Sequence, residues 1–126
     1  MSSSSPNNSK TYFYKILDSP PPSPLPETLP ATPLDVKDNF IHLSTATQIP
    51  ITADLFFASH TKLWLLKLRI ADLDGEIRYV EGLPECPHVH DSQKGLGKGN
   101  VEEVILVERN EGEKWGDVRS LKKLES

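Results

Sequence analysis

The sequence predicts an α+β fold: a curved, mostly antiparallel sheet of five or six short strands, with one or two small helices and a cleft beside the central strand. Three observations lead there. Apolar and β-branched residues recur in short runs bounded by Gly, Pro, Asn and Asp, which is how half-buried strands read. These runs are not separated by regular long helices, which speaks against a doubly wound parallel sheet. Prolines crowd one early segment and keep it out of any long helix.

Residues 1–10 are Ser, Asn and Pro with almost nothing to bury, and read as a disordered tail. Residues 11–17 are aromatic and β-branched and form the first strand, with Tyr12, Tyr14 and Ile16 on one face and Phe13, Lys15 and Leu17 on the other. Residues 18–37 hold seven prolines, at 20, 21, 22, 24, 26, 30 and 33, and read as extended loop with at most one short helical turn. The Pro21-to-Pro24 spacing could dock an aromatic-lined domain, but a stiff loop lying over the sheet is the favoured reading.

Phe40, Ile41 and Leu43 make a short buried strand around His42, ended by Ser44-Thr45. Thr45 and Gln48 have the spacing of a capping box. Pro50 forbids one helix over 45–59, so the expectation is a turn at 45–49 and then a helix capped near Thr52 and running to Ala58. Residues 63–70 are the strongest strand, with Lys67 and Arg69 turning one face of its far half to solvent. Asp74-Gly75 is a turn, and 77–81 is a strand with Ile77, Tyr79 and Glu81 on one face, ended by Gly82-Leu83-Pro84-Glu85. The loop from Lys94 to Asn100 is basic and Gly-rich, matches neither the phosphate-loop nor the dinucleotide pattern, and reads as a mobile hairpin. Residues 101–109 are the last strong strand, and the tail adds an edge strand or a short helix packing Trp115 and Leu121 on the core.

Composition narrows the function classes. Residues 11–126 make a single α+β domain with a real core. The net charge of −4 argues against general nucleic-acid binding, which needs a basic face. No apolar run approaches the ~20 residues of a membrane span, and the N-terminus lacks the features of a signal peptide. Cys86 is the only cysteine, so no disulfide forms within the chain and a reducing, cytoplasmic setting is expected.

His42 and Ser44 lie two apart on a strand, so they face the same way, beside a helix start whose free backbone donors attract anions. That is where a ligand is expected. The same pattern also suits a satisfied core histidine and a plain helix cap. Alternation puts Cys86, His88 and His90 on one side; His-x-His is a metal-ligand spacing, and His42 could complete a set of three. No second Cys/His pair or Glu-rich helix accompanies it, and no metal site is assigned.

Tyr14-Lys15-Ile16, then Asp38-x-Phe40-Ile41-His42-Leu43-Ser44-Thr45-x-x-Gln48, then Thr52-Ala53, Phe56-Phe57, Leu65-Leu66, Arg78-Tyr79-x-Glu81 and Pro87-His88 resemble the domain of unknown function 952 family. That family's fold resembles the ADP-ribosyltransferase class, including RNA 2′-phosphotransferases with a similar His-Leu-Ser block. The resemblance implies a split curved sheet with a nucleotide-sized cleft. It places His42 and Glu81 as catalytic candidates, with Ser44, Thr45, Tyr14, Lys15, His88 and His90 as ligand-binding candidates. NAD is the cofactor or substrate it suggests: a carboxylate such as Glu81 would stabilise an oxocarbenium-like state while His42 holds a ribose hydroxyl. Here Cys86 stands where the family has Phe and His90 where it has Tyr, with a longer Gly-Lys loop behind. The phosphate-clasping Arg-His start of the phosphotransferases is replaced by Tyr14-Lys15.

Three functions follow: an ADP-ribosyltransferase-like enzyme or a degenerate relative acting on a nucleotide; a non-catalytic module binding a phosphorylated small ligand or a peptide; and a small metal enzyme using His42, His88 and His90.

Overall fold

A computed structural model describes residues 10–80 and 83–126. Residues 1–9 of the tail expected over 1–10, and Glu81, lie outside the described residues. The fold is α+β, and its strands form two antiparallel sheets of three, where the residue pattern alone suggests one curved sheet and the resemblance a split one. In the first sheet, β3 (Lys62–Arg69) lies between β1 (Tyr12–Leu17) and β6 (Val101–Glu108). In the second, β5 (Leu83–His90) lies between β2 (Ile41–His42) and β4 (Glu76–Val80). β5 begins inside the stretch read as a strand terminator.

A single step of the chain stitches the sheets together. The Leu43 N–H still donates to Pro87 O of β5 at 3.0 Å. One residue on, the Ser44 N–H donates to Tyr14 O at 2.9 Å, and the Tyr14 N–H returns to Ser44 O at 2.8 Å. β1 therefore carries β3 on one edge and Ser44 on the other.

Both faces of the first sheet are covered, as the alternation of β1 requires. Tyr14 packs with Leu63, Leu65 and Val107 beneath α2 (Ile49–Phe56) and two C-terminal 3₁₀ turns, Trp115–Asp117 and Arg119–Lys123. Phe13, Leu66 and Leu68 meet Leu43 and Val89 of the second sheet. Burying each large apolar side chain contributes about 1.5–3 kcal/mol. Trp115 and Leu121 are buried as the tail pattern suggests, and the Trp115 indole N–H donates to Phe57 O at 2.9 Å. The Asp54 carboxylate accepts from the Trp115 and Gly116 backbones, tying α2 to that tail.

Four local expectations are corrected. α2 starts at Ile49, with Pro50 in its first turn, where a missing N–H leaves no helical bond unmade. The capping box is not formed: Gln48 is the N-cap without a side-chain cap bond, and its Nε2 donates forward to Thr52 Oγ1 at 3.2 Å. Lys67 is buried rather than turned to solvent, because its Nζ lies 4.2 Å from the Tyr12 ring centre and pairs with Glu125 of the C-terminal segment. The proline segment ends in a true helix, α1 (Pro33–Asp38). Thr32 caps it, Pro33 opens it, and Asn39 ends it in the left-handed region at φ 60°.

The Gly-rich loop is not a free hairpin. Leu96 is buried, Leu96 O accepts from the Leu29 N–H at 2.6 Å, and the Lys98 N–H donates to Pro26 O at 3.0 Å. Gly97 fits because a Cβ there would lie 1.9 Å from Glu27 O. Among the described residues no helix is long and apolar enough to cross a membrane.

Gly97→Ala should therefore force the loop and the proline segment apart and destabilise the protein by about 1–3 kcal/mol in urea unfolding. Gly99→Ala, where a Cβ meets nothing within 4 Å, should stay within roughly 0.5 kcal/mol of wild type.

Candidate functional site

The site is built around a carboxylate in the first turn of α1. Asp35 is 6% exposed, and the Thr32 cap holds its backbone N–H. Oδ2 of Asp35 accepts from Lys15 Nζ of β1 at 2.6 Å. Oδ1 accepts from the His42 backbone N–H at 3.1 Å and lies 2.6 Å from His42 Nδ1. Lys15 Nζ also donates to His42 O at 3.0 Å. One carboxylate thus joins β1, α1 and β2.

Burial pushes the Asp35 carboxyl up, but the Lys15 charge and the hydrogen bonds from Lys15 and His42 outweigh it and hold it below the ordinary carboxylate value. Burial also lowers the Lys15 ammonium, against the opposing pull of Asp35. On the far side of the imidazole, His42 Nε2 lies 2.9 Å from Asp38 Oδ2 at the end of α1. Both nitrogens of the His42 ring therefore face carboxylate oxygens of α1.

Outside this knot the rings cluster. Phe40 stacks on His88 and His90 with centroids 4.3 and 4.8 Å apart, and its centroid is 4.5 Å from that of His42. Burial, then the neighbouring His42 and His90, hold His88 below the ordinary histidine value and favour its neutral form. The Phe40 ring thus lies within 4.8 Å, centre to centre, of all three imidazoles. Among the described residues no three His, Cys, Asp or Glu side chains are placed to hold a metal ion.

A cleft of about 860 Å³ opens beside this end of β2. Ile16, Leu17 and prolines of the following segment wall one side, and Gln48, Thr52, Leu55 and Phe56 at α2 wall the other. His42, Ser44, Cys86 and His88 border it. A smaller cavity of about 490 Å³ lies near Asp54, Arg109 and Lys114. There the Arg109 guanidinium is spent on backbone carbonyls of Ala58, His60, Asn110 and Glu113, as a clamp on the loops.

The family model for a protein of unknown function (DUF952) matches residues 25–105. The chain belongs to the DUF952 family. No curated protein and no solved structure matches it. In this DUF952 protein the matched span contains Asp35, His42, Ser44 and His88, while Lys15 precedes it.

Of the residues singled out from sequence, Tyr14, Lys15, His42, Ser44 and His88 meet at the cleft. Thr45 is buried and is not among the lining residues, and His90 lies on Phe40 beyond the wall. The Tyr14 hydroxyl is committed to Glu125 O at 2.6 Å, and burial pushes it up to about 12. The helix start offers little to an anion. The Gln48 and Ile49 N–H groups both donate to Thr45 O, and Pro50 has none. The sequence pattern does not mark Asp35 and Asp38 as site residues, although Thr32-Pro33-Leu34-Asp35 carries a helix-start signature.

Asp35→Asn should cost roughly 3–5 kcal/mol at pH 7 by leaving Lys15 buried without its counter-charge. The folded pKa is lowered, so this contribution is full above the unfolded value of 3.8 and is lost as pH falls through the folded one. Denaturant unfolding across pH should show the gap between wild type and variant closing below that value.

Proposed function

We propose that this DUF952 protein binds a small organic molecule of nucleotide size in the cleft, with His42 and Ser44 at its polar end. The carrying observation is the cleft: its volume of about 860 Å³ lies within the range usual for small-ligand sites, and its walls are apolar with a few convergent polar groups. Asp35 and Asp38 hold the imidazole in one orientation at the border of the cleft, so the ring is a fixed part of its polar end.

Transfer of ADP-ribose from NAD, on an ADP-ribosyltransferase-like fold with Glu81 as the carboxylate, is the finer form of this reading. It rests on the sequence resemblance. The groups on the cleft wall do not fit a pyrophosphate, so no catalytic step through NAD is derived. A non-catalytic peptide-binding module is the second reading, favoured by the rim residues Leu34, Leu55 and Phe56, which are 53%, 68% and 73% exposed.

Thermal-shift screening with nucleosides, nucleotides, nicotinamide and ADP-ribose tests the first reading. At least one compound should raise Tm by roughly 10 °C at a hundred times its Kd. The rise should vanish in His42→Ala while circular dichroism stays native. No shift with any compound would overturn the small-ligand reading, and a shift that survives His42→Ala would move the site elsewhere.

A further inference from the structure

We infer that the cleft selects an uncharged aromatic ligand of the nucleoside class and disfavours the corresponding phosphates. This rests on the small-ligand reading above and narrows it.

A phosphate taken from water needs arginine, lysine or a nest of free backbone N–H groups to replace its hydration. Among the described residues Lys15 is the one lysine on the cleft wall, and no arginine lines it. That ammonium is already held by Asp35 and by His42 O. Both nitrogens of His42 face carboxylates, and His88 favours its neutral form. Asp18 adds a further carboxyl to the wall. The residues outside the description, 1–9 and 81–82, contain no lysine, arginine or histidine that could supply a missing side-chain cation.

The two stretches that could form such a nest offer few free donors. At the start of α2 the first donors turn back to Thr45 O or are absent at Pro50. The Gly-rich loop lies off the wall, and most of its N–H groups are held by other protein atoms. Those of Gln93 and Lys94 go to Asp74, that of Gly95 to Ser92, that of Gly97 to Asn100, and that of Lys98 to Pro26.

What the wall does offer suits a neutral planar molecule. Gln48 spends one amide hydrogen on Thr52, leaving Oε1 and the other hydrogen without a described partner. That donor–acceptor edge matches a base edge or a carboxamide. Leu17, Leu55, Phe56 and the prolines supply apolar surface for the ring, and the Ser44 hydroxyl lies at hand for a sugar hydroxyl.

The test is isothermal titration of the full chain, at one ionic strength, with adenosine, guanosine and uridine against their 5′-monophosphates and ADP-ribose. The best nucleoside should bind about tenfold or more tightly than its monophosphate. Equal or tighter binding of a monophosphate or of ADP-ribose would overturn this inference while upholding the small-ligand reading. No binding by any of them would overturn both. Gln48→Arg supplies the missing cation, and should improve monophosphate binding by about tenfold relative to the nucleoside. An unchanged ratio would put the ligand away from this wall and overturn the assignment.

Discussion

The buried carboxylate of Asp35 is the constraint on which the candidate site depends. A carboxylate out of water is stable only when its oxygens are matched by donors, and here the donors come from two other chain segments: Lys15 on β1 and His42 on β2. Satisfying it fixes where α1 lies, and α1 is the far end of the proline segment that walls the cleft. The same interaction sets the direction of the His42 ring and takes Lys15 out of use as an anion receptor. The cleft is thus shaped and made electrostatically self-contained by one residue.

The second constraint is the stitch between Tyr14 and Ser44. The two sheets share a core of Phe13, Leu43, Leu66, Leu68 and Val89, while the described bridge between their edges is a single residue pair. That pair brings Ser44 and His42 to the same border of the cleft, and it places Lys15, next to Tyr14, beside Asp35. Short strands suffice because the hydrogen-bond ladder passes from β5 to β1 within two residues of chain.

The strands that hold the core were legible because their alternation is strong: β1 shows two apolar faces, and β3 and β6 read as apolar runs. His42, Ser44 and His88 were legible as residues of common orientation, since a two-residue period decides facing without knowledge of the partner. What escaped depends on distant neighbours. Lys67 looks solvent-facing until the C-terminal segment covers it. The Gly-rich loop looks free until Pro26 and Leu29 bind it. Pro50 looks like a helix breaker in the sequence, although in a first turn it is an ordinary opener. Asp35 announced a helix start, but its role needs Lys15, twenty residues earlier, and no local pattern carries that pairing. Glu81, placed by resemblance, lies outside the described residues.

These observations describe a DUF952 protein whose cleft carries its own counter-charges and offers hydroxyl, amide and apolar contacts. The most direct test of that account is hydrogen exchange at the His42 amide, whose proton is given to Asp35 Oδ1. In the wild type this amide should exchange as slowly as those of Tyr14 and Ser44, because releasing it requires undoing the knot. Exchange at the rate of an exposed loop amide would show that Asp35 does not hold the two sheets and α1 together, and would contradict the account at its root.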